Sequence, residues 1–131
     1  MQFIDLKRQY SKLKEEIDSA IHNVLGHGQY IMGPEVFSLE EKLSNFVGCK
    51  HTISCSSGTD ALFMALMALD VKPGDRIITT PFTFIATAEV MSLIGAIPEF
   101  VDIDSKTFNI SVERIEEKIK NSSDRYKAIM P

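Results

Sequence analysis

The sequence of 131 residues contains no tryptophan and only two cysteines, Cys49 and Cys55. If both cysteines lie on one strand, six steps of about 3.3 Å place them roughly 20 Å apart. A disulfide cannot bridge that distance. We therefore expect free thiols, as in a protein of the reducing cytoplasm.

The sequence also lacks long apolar runs and an excess of basic charge. No stretch approaches the roughly 20 apolar residues of a membrane-spanning helix, and residues 1–5 do not resemble the start of a secretory signal. Lys and Arg total 14 against 18 Asp and Glu, which gives a net charge of -4. A basic face for duplex binding is not expected from this balance. We predict a cytoplasmic protein with no membrane or nucleic-acid partner.

The remaining composition, 44% hydrophobic and 24% charged, is that of a globular protein. Apolar periodicity predicts helices over residues 12–25 and 35–47. From residue 51 onwards, strands alternate with helices, which indicates a three-layer α/β/α fold with a mostly parallel sheet. The predicted strands are residues 51–55, 76–80, 97–101 and 126–130, and the predicted helices between them are residues 61–69, 84–94 and the segment that follows Ser111.

The predicted organisation has two parts, a helical segment over residues 1–50 and an α/β domain over residues 51–131. The last predicted strand stops where the sequence stops. A strand of a parallel sheet normally leads into a further crossover. We therefore expect residues 51–131 to be the first part of a larger domain, and the chain to be the N-terminal portion of a longer protein.

The motif Ser57-Gly58-Thr59-Asp60 stands between a predicted strand and a predicted helix. A helix N-terminus presents unpaired N–H groups and a positive dipole end, so it suits a phosphate group. Gly58 would let a ligand approach the backbone, and the neighbouring hydroxyls add donors. The alternative is a simple helix cap in which Asp60 complements the dipole. Neither of the two glycine-rich nucleotide loops is present.

A second candidate, Thr80-Pro81-Phe82-Thr83-Phe84, follows a predicted strand at the edge where ligands bind in open α/β sheets. An aromatic side chain there can stack on a flat ring. The alternative is that Phe82 and Phe84 begin the buried face of the next helix. Both interpretations remain open at this point.

Two further groups of residues could hold a metal or transfer protons, and a structural role is favoured for each. Asp102 and Asp104 could act as a carboxylate pair, but a turn with Asx-type hydrogen bonds explains them as well. Cys49, His51 and Cys55 have no second ligand pair of the kind that zinc sites need. No metal site is predicted.

Taken together, the motifs resemble the DegT/DnrJ/EryC1/StrS family of pyridoxal-phosphate-dependent sugar aminotransferases of fold type I. The resemblance runs through the whole chain in order. The matching stretches are Phe3-Ile4-Asp5-Leu6, Gln29-Tyr30-Ile31-Met32-Gly33-Pro34-Glu35-Val36, Cys55-Ser56-Ser57-Gly58-Thr59-Asp60-Ala61-Leu62, Lys72-Pro73-Gly74-Asp75, Thr80-Pro81-Phe82-Thr83-Phe84-Ile85-Ala86-Thr87 and Val101-Asp102-Ile103-Asp104.

The resemblance implies pyridoxal 5'-phosphate as the cofactor and assigns roles to several residues. Gly58 and Thr59 match the positions that hold the cofactor phosphate, with Ser57 and Asp60 beside them. Phe84 matches the aromatic that stacks on the pyridine ring. The loop from Tyr30 to Gly33 matches a segment near the sugar-nucleotide site that is often lent across a dimer, whereas Asp102 and Asp104 match a turn.

The resemblance further implies an aminotransferase that uses an amino acid, expected to be glutamate, to aminate a nucleotide-linked keto-sugar, and that works as a homodimer. Family members are nearly three times as long, and the lysine that forms the Schiff base lies in the part without counterpart here. No catalytic residue is therefore assigned in this chain. The alternatives are a sugar dehydratase of the same family, an inactive truncated product or interaction module, and a different phosphate-binding protein of Rossmann type.

Overall fold

The computed structural model describes residues 3–131, which contain five helices and three strands. The chain divides into two units, one ending at Ser54 and the other beginning at Cys55. No helix within residues 3–131 has both the length and the apolar character needed to cross a bilayer. The elements are α1 (Leu6–His27), α2 (Pro34–Val47), α3 (Gly58–Ala68), β1 (Arg76–Thr79), α4 (Ala86–Ile94), β2 (Ile97–Phe100), α5 (Val112–Lys120) and β3 (Tyr126–Ile129).

The first unit contains the two helices that apolar periodicity predicts, and both are confirmed. Helix α1 starts six residues earlier than predicted because the Asp5 carboxylate accepts a hydrogen bond from the backbone N–H of Arg8 at 3.0 Å and caps it. Helix α2 begins with Pro34, whose fixed φ suits the first helical position. Glycines in the left-handed conformation end both helices, Gly28 at φ 69° and Gly48 at φ 76°.

The second unit is built on a parallel sheet with strand order β2-β1-β3. Arg76 at the start of β1 is in register with Ile97 of β2 and with Tyr126 of β3. Each strand is connected to the next by a helix, which is the arrangement that parallel neighbours require. The predicted α/β class and the parallel sheet are confirmed.

The core of the second unit lies where helix α4 packs against strands β1 and β2, with helix α3 packed against α4. Ile77 at the centre of β1 is fully buried. The other buried members of this cluster are Leu66, Val71, Val90, Met91 and Ala96. Strand β1 is the middle strand and packs against this cluster. Its carboxyl end, from which the next loop starts, is therefore held in place by the core.

The predicted strand over residues 51–55 is wrong. A strand needs a neighbour to pair with its backbone, and the three-stranded sheet of the described residues does not include this segment. Side chains of α2 hold it instead. The Glu40 carboxylate accepts hydrogen bonds from both the N–H and the hydroxyl of Ser54, at 2.8 and 2.7 Å, and Ser44 donates to the hydroxyl of Thr52 at 2.9 Å.

The helix predicted over residues 61–69 forms but begins at Gly58. Its residues are apolar nearly all round, which predicts a buried helix, and this prediction is wrong. Within α3 only Leu66 is buried, while Met64 and Met67 are exposed. The apolar residues surround the helix, but the described residues cover it on one side. The sequence pattern indicates which residues require burial and carries no information on what buries them.

Candidate functional site

Ser57 caps helix α3 at its N-terminus. Its backbone is extended, with φ -160° and ψ 166°, and its hydroxyl oxygen accepts a hydrogen bond from the N–H of Asp60 at 3.1 Å. The hydroxyl of Ser56 donates to the Asp60 carboxylate, and the thiol of Cys55 donates to the Ser57 carbonyl at 3.3 Å. Ser57 is thus the N-cap of α3, and the phosphate-binding role of the motif stays a prediction.

Gly58, the first residue of α3, faces open space. A Cβ built on it would meet nothing within 4 Å, and its φ lies outside the left-handed region that favours glycine. Neither backbone conformation nor packing among residues 3–131 therefore requires a glycine at this position. The free space lies directly at the helix end whose N–H groups attract anions. The backbone of Gly58 is therefore open to a ligand on the side that a Cβ would occupy.

The loop that follows β1 leaves the core and reaches the surface within a few residues. Thr79 and Thr80 are buried, and the Thr80 hydroxyl accepts a hydrogen bond from the N–H of Phe82 at 3.2 Å. Phe84 is 75% exposed. Helix α4 starts only at Ala86. The alternative that Phe84 begins the buried face of this helix is therefore wrong, and its ring is free to stack on a flat ligand.

Asp102 and Asp104 form a turn, as the structural interpretation predicts. The Asp104 carboxylate accepts hydrogen bonds from the backbone N–H groups of Lys106 and Thr107, at 3.0 and 2.8 Å. The bond from Thr107 is the main reason why the pKa of Asp104 lies below its usual value. The Asp102 carboxylate accepts from the N–H of Ile103 at 2.8 Å. Both carboxylates are thus engaged with backbone groups of their own loop.

This turn places Phe108 beside Phe82, an aromatic pair that the sequence analysis missed. The ring centroids lie 6.0 Å apart with the planes inclined by 32°. Phe108 has a φ of 61°, which is unusual for a bulky residue. Its N–H donates to the Asp104 carbonyl at 2.9 Å. The one sequence signal for this contact is the Asp-x-Asp turn, whose hydrogen bonds fold the loop back on itself.

In the first unit, Tyr30 and Gly33 lie in the connection between α1 and α2. Tyr30 is 65% exposed, which leaves it free to contact a ligand. Gly33 caps α2 with φ -72°, and a Cβ on it would overlap the carbonyl oxygen of Gln29. The fold itself therefore requires glycine at this position. The contact of both residues with a substrate stays a prediction.

An open cleft of about 610 Å³ lies elsewhere on the second unit and is lined by charged residues. Arg76 contacts Asp124 at 3.2 Å and also pairs with Glu99, and Lys118 contacts Glu99 at 2.9 Å. The hydrogen bond from Lys118 holds the pKa of Glu99 below its usual value. These charges neutralise one another. The residues that line the cleft therefore form an ion-pair network that joins β1, β2 and α5.

The two cysteines are exposed and free. The Cys49 thiol donates to the carbonyl of His51 at 3.2 Å. Across residues 3–131, no group of three His, Cys, Asp or Glu side chains is close enough to hold a metal ion.

The sequence pattern of the DegT/DnrJ/EryC1/StrS aminotransferase family matches residues 11–131. The chain is 52% identical, over all 131 residues, to the UDP-2-acetamido-2-deoxy-3-oxo-D-glucuronate aminotransferase of Pseudomonas aeruginosa, of which it covers 36%. A DegT DnrJ EryC1 StrS aminotransferase from Brucella abortus superposes with a TM-score of 0.91 and 44% identity, over 98% of this chain and 36% of that one.

NtdA from Bacillus subtilis, solved with bound cofactor PMP, superposes with a TM-score of 0.86 and 31% identity, over 98% of this chain and 29% of that one. The chain therefore spans about a third of the length of the proteins it matches.

Proposed function

Because the chain belongs to the DegT/DnrJ/EryC1/StrS aminotransferase family, we propose that the full-length protein carrying it transfers an amino group to a nucleotide-linked keto-sugar. Aminotransferases of this family use pyridoxal phosphate. The name of the Pseudomonas aeruginosa relative describes a UDP-linked 3-oxo sugar as its substrate. Residues 1–50 would supply a helical segment with the substrate-edge loop, and residues 51–131 the first part of the cofactor-binding domain.

The observation that carries the proposal is the open space in front of Gly58 at the capped end of α3. Gly58 and Thr59 would hold the cofactor phosphate through backbone N–H groups and the threonine hydroxyl. Ser57 and Asp60 keep the first turn of the helix in place through their hydrogen bond. The pyridine ring would stack on Phe84. These roles agree with two general observations: helix N-termini bind phosphate groups, and ligands of parallel sheets bind at the carboxyl ends of the strands.

The cofactor supplies the electron sink and carries the amino group between donor and acceptor. The residues of this chain bind and orient it and leave its chemistry to other groups. We assign the anchoring lysine to the part of the relatives' length that this chain does not span. Glutamate as the amino donor, a homodimer and a cytoplasmic location are further elements of the proposal, and Tyr30 and Gly33 would lie at the sugar-nucleotide site.

The test is an absorbance titration of pyridoxal phosphate into the purified full-length apoprotein and three variants. Gly58→Val fills the open space, and we expect at least a tenfold weaker dissociation constant. Ser57→Asp retains an oxygen that can cap α3 but adds a negative charge beside the phosphate, so we expect weaker binding with unchanged thermal stability. Gly26→Ala, another glycine that faces open space, is the control and should bind normally. Unchanged affinity in both site variants would refute the phosphate site.

The product separates the aminotransferase from a dehydratase of the same family. Incubation of the holoenzyme with glutamate and a UDP-linked 3-keto-sugar should yield, by mass spectrometry, a sugar whose ketone is replaced by an amine. A product that has lost the elements of water would support the dehydratase instead.

A further inference from the structure

His27 and Glu35 form a side-chain contact that joins the end of α1 to the start of α2. The Nε2 atom of His27 lies 3.0 Å from a carboxylate oxygen of Glu35. Between the two residues runs the six-residue loop 28–33, which contains Tyr30. The contact therefore closes the base of the loop that carries the proposed substrate contact.

The other ring nitrogen of His27 fixes the direction of this hydrogen bond. Its Nδ1 atom lies 3.0 Å from the backbone nitrogen of Gln29, whose N–H can only donate. Nδ1 must then be unprotonated, so the ring proton of the neutral histidine is on Nε2 and is donated to Glu35. The same bond is the main reason why the pKa of Glu35 lies below its usual value. One histidine thus ties both the first peptide of the loop and the next helix.

We call the contacts of His27 with Gln29 and Glu35 the clamp. The loop that the clamp closes has a tightly folded backbone. Gly33 lies against the Gln29 carbonyl, so the two ends of the loop meet. Met32 has a φ of 49°, in the left-handed region that few residues other than glycine adopt. Tyr30, Ile31 and Met32 are all exposed. The loop is a closed turn that presents its large side chains outward.

We propose that His27 and Glu35 are positioning residues that hold loop 28–33 in the conformation in which Tyr30 meets the nucleotide-linked sugar. This inference rests on the proposed function, since it assumes that Tyr30 contacts the substrate. A loop ordered before binding does not lose its conformational freedom when the substrate binds. The clamp therefore acts on substrate affinity and leaves the chemical step unchanged.

The clamp is tested in the full-length holoenzyme by hydrogen exchange and steady-state kinetics. Glu35→Ala should accelerate exchange of the Gln29 amide, which donates to His27, about tenfold and raise KM for the nucleotide sugar by a similar factor, at unchanged kcat. Glu35→Gln keeps an acceptor of the same reach and should restore most of the affinity. His27→Asn keeps an acceptor for the Gln29 N–H but cannot reach Glu35, and should give an intermediate effect. Glu41→Ala, an exposed change on the same helix, is the control.

Tyr30→Ala separates failure of the clamp from failure of the proposed function. If Tyr30→Ala raises KM while Glu35→Ala changes neither KM nor exchange, the clamp is refuted and the substrate site stands. If Glu35→Ala accelerates exchange but neither variant changes KM, loop 28–33 does not contact the substrate, and the positioning role is refuted with it. Accelerated exchange together with a raised KM in both variants supports the inference.

Discussion

The carbonyl oxygen of Gln29 occupies the space that a Cβ on Gly33 would fill. The φ of Gly33 is -72°, a value open to every residue, so its conformation does not demand glycine. Glycine is required here because the Gln29 carbonyl lies too close to the Cα of Gly33 to leave room for a side chain. A glycine that the family resemblance links to the substrate is thus explained by the fold.

Gly33→Ala should open loop 28–33, because backbone atoms cannot yield as a flexible side chain would. We expect faster exchange of the Gln29 amide, which donates to His27, and a higher KM for the nucleotide sugar in the full-length enzyme. Gly28→Ala is the comparison. It meets no atom within 4 Å but sits at φ 69°, so it should cost about 1 kcal/mol of stability. A wild-type exchange pattern in Gly33→Ala would contradict the prediction.

Phe84→Ala should weaken cofactor binding with little effect on folding. The ring is mostly exposed, so the free energy of unfolding should change by less than about 0.5 kcal/mol. Loss of stacking should reduce cofactor affinity by about 1 kcal/mol beyond the lost contact area. Phe84→Tyr should restore affinity in the same absorbance titration. Equal affinity of wild type and Phe84→Ala would remove Phe84 from the site.

Thr79→Val should be neutral or stabilising by up to about 1 kcal/mol in chemical denaturation. The Thr79 hydroxyl is fully buried, and within residues 3–131 it has no hydrogen-bond partner. Thr80→Val is the matched change, because the neighbouring hydroxyl accepts the N–H of Phe82. It should lose about 1 kcal/mol. Equal destabilisation by both substitutions would mean that Thr79 does have a partner in the folded protein.

Glu99→Gln should make the protein less sensitive to acid. Lys118 holds the pKa of the partly buried Glu99 below its usual value of 4.5. The charged carboxylate therefore contributes stability that is complete above about pH 4.5 and is lost as pH falls through the lower folded-state value. At neutral pH the substitution should cost about 1 kcal/mol. The free energies of unfolding of wild type and variant, measured by denaturation at a series of pH values, should converge below pH 4.5. A difference that stays constant with pH would exclude this role.

Apolar periodicity and turn-forming residues predicted the features that depend on residues close to one another in the sequence. The cap at Ser57 and the turn at Asp104 both act within a few residues of the chain, and each forms as expected. The strand over residues 51–55 failed because a strand is defined by its neighbour.

The aromatic pair was missed for a related reason. Phe82 and Phe108 are far apart in sequence, and their contact depends on a left-handed backbone at a bulky residue. No local preference predicts that conformation. The exposure of Phe84 was likewise undecided in the sequence, because it depends on α4 beginning at Ala86 and no sooner.

The strand order β2-β1-β3 has a consequence for the growing polypeptide. Its earliest strand lies in the middle and must wait for both neighbours. Strand β2 ends at Phe100 and β3 at Ile129, a gap of 29 residues. At the pace of translation this gap takes about 1.5–6 s, whereas β-strand pairing in a hairpin takes microseconds. For those seconds β1 can be paired on one side only, and its unpaired amides can recruit the wrong chain. Until Ile129 has emerged, the edge of β1 that later pairs with β3 therefore stays open to pairing with other chains.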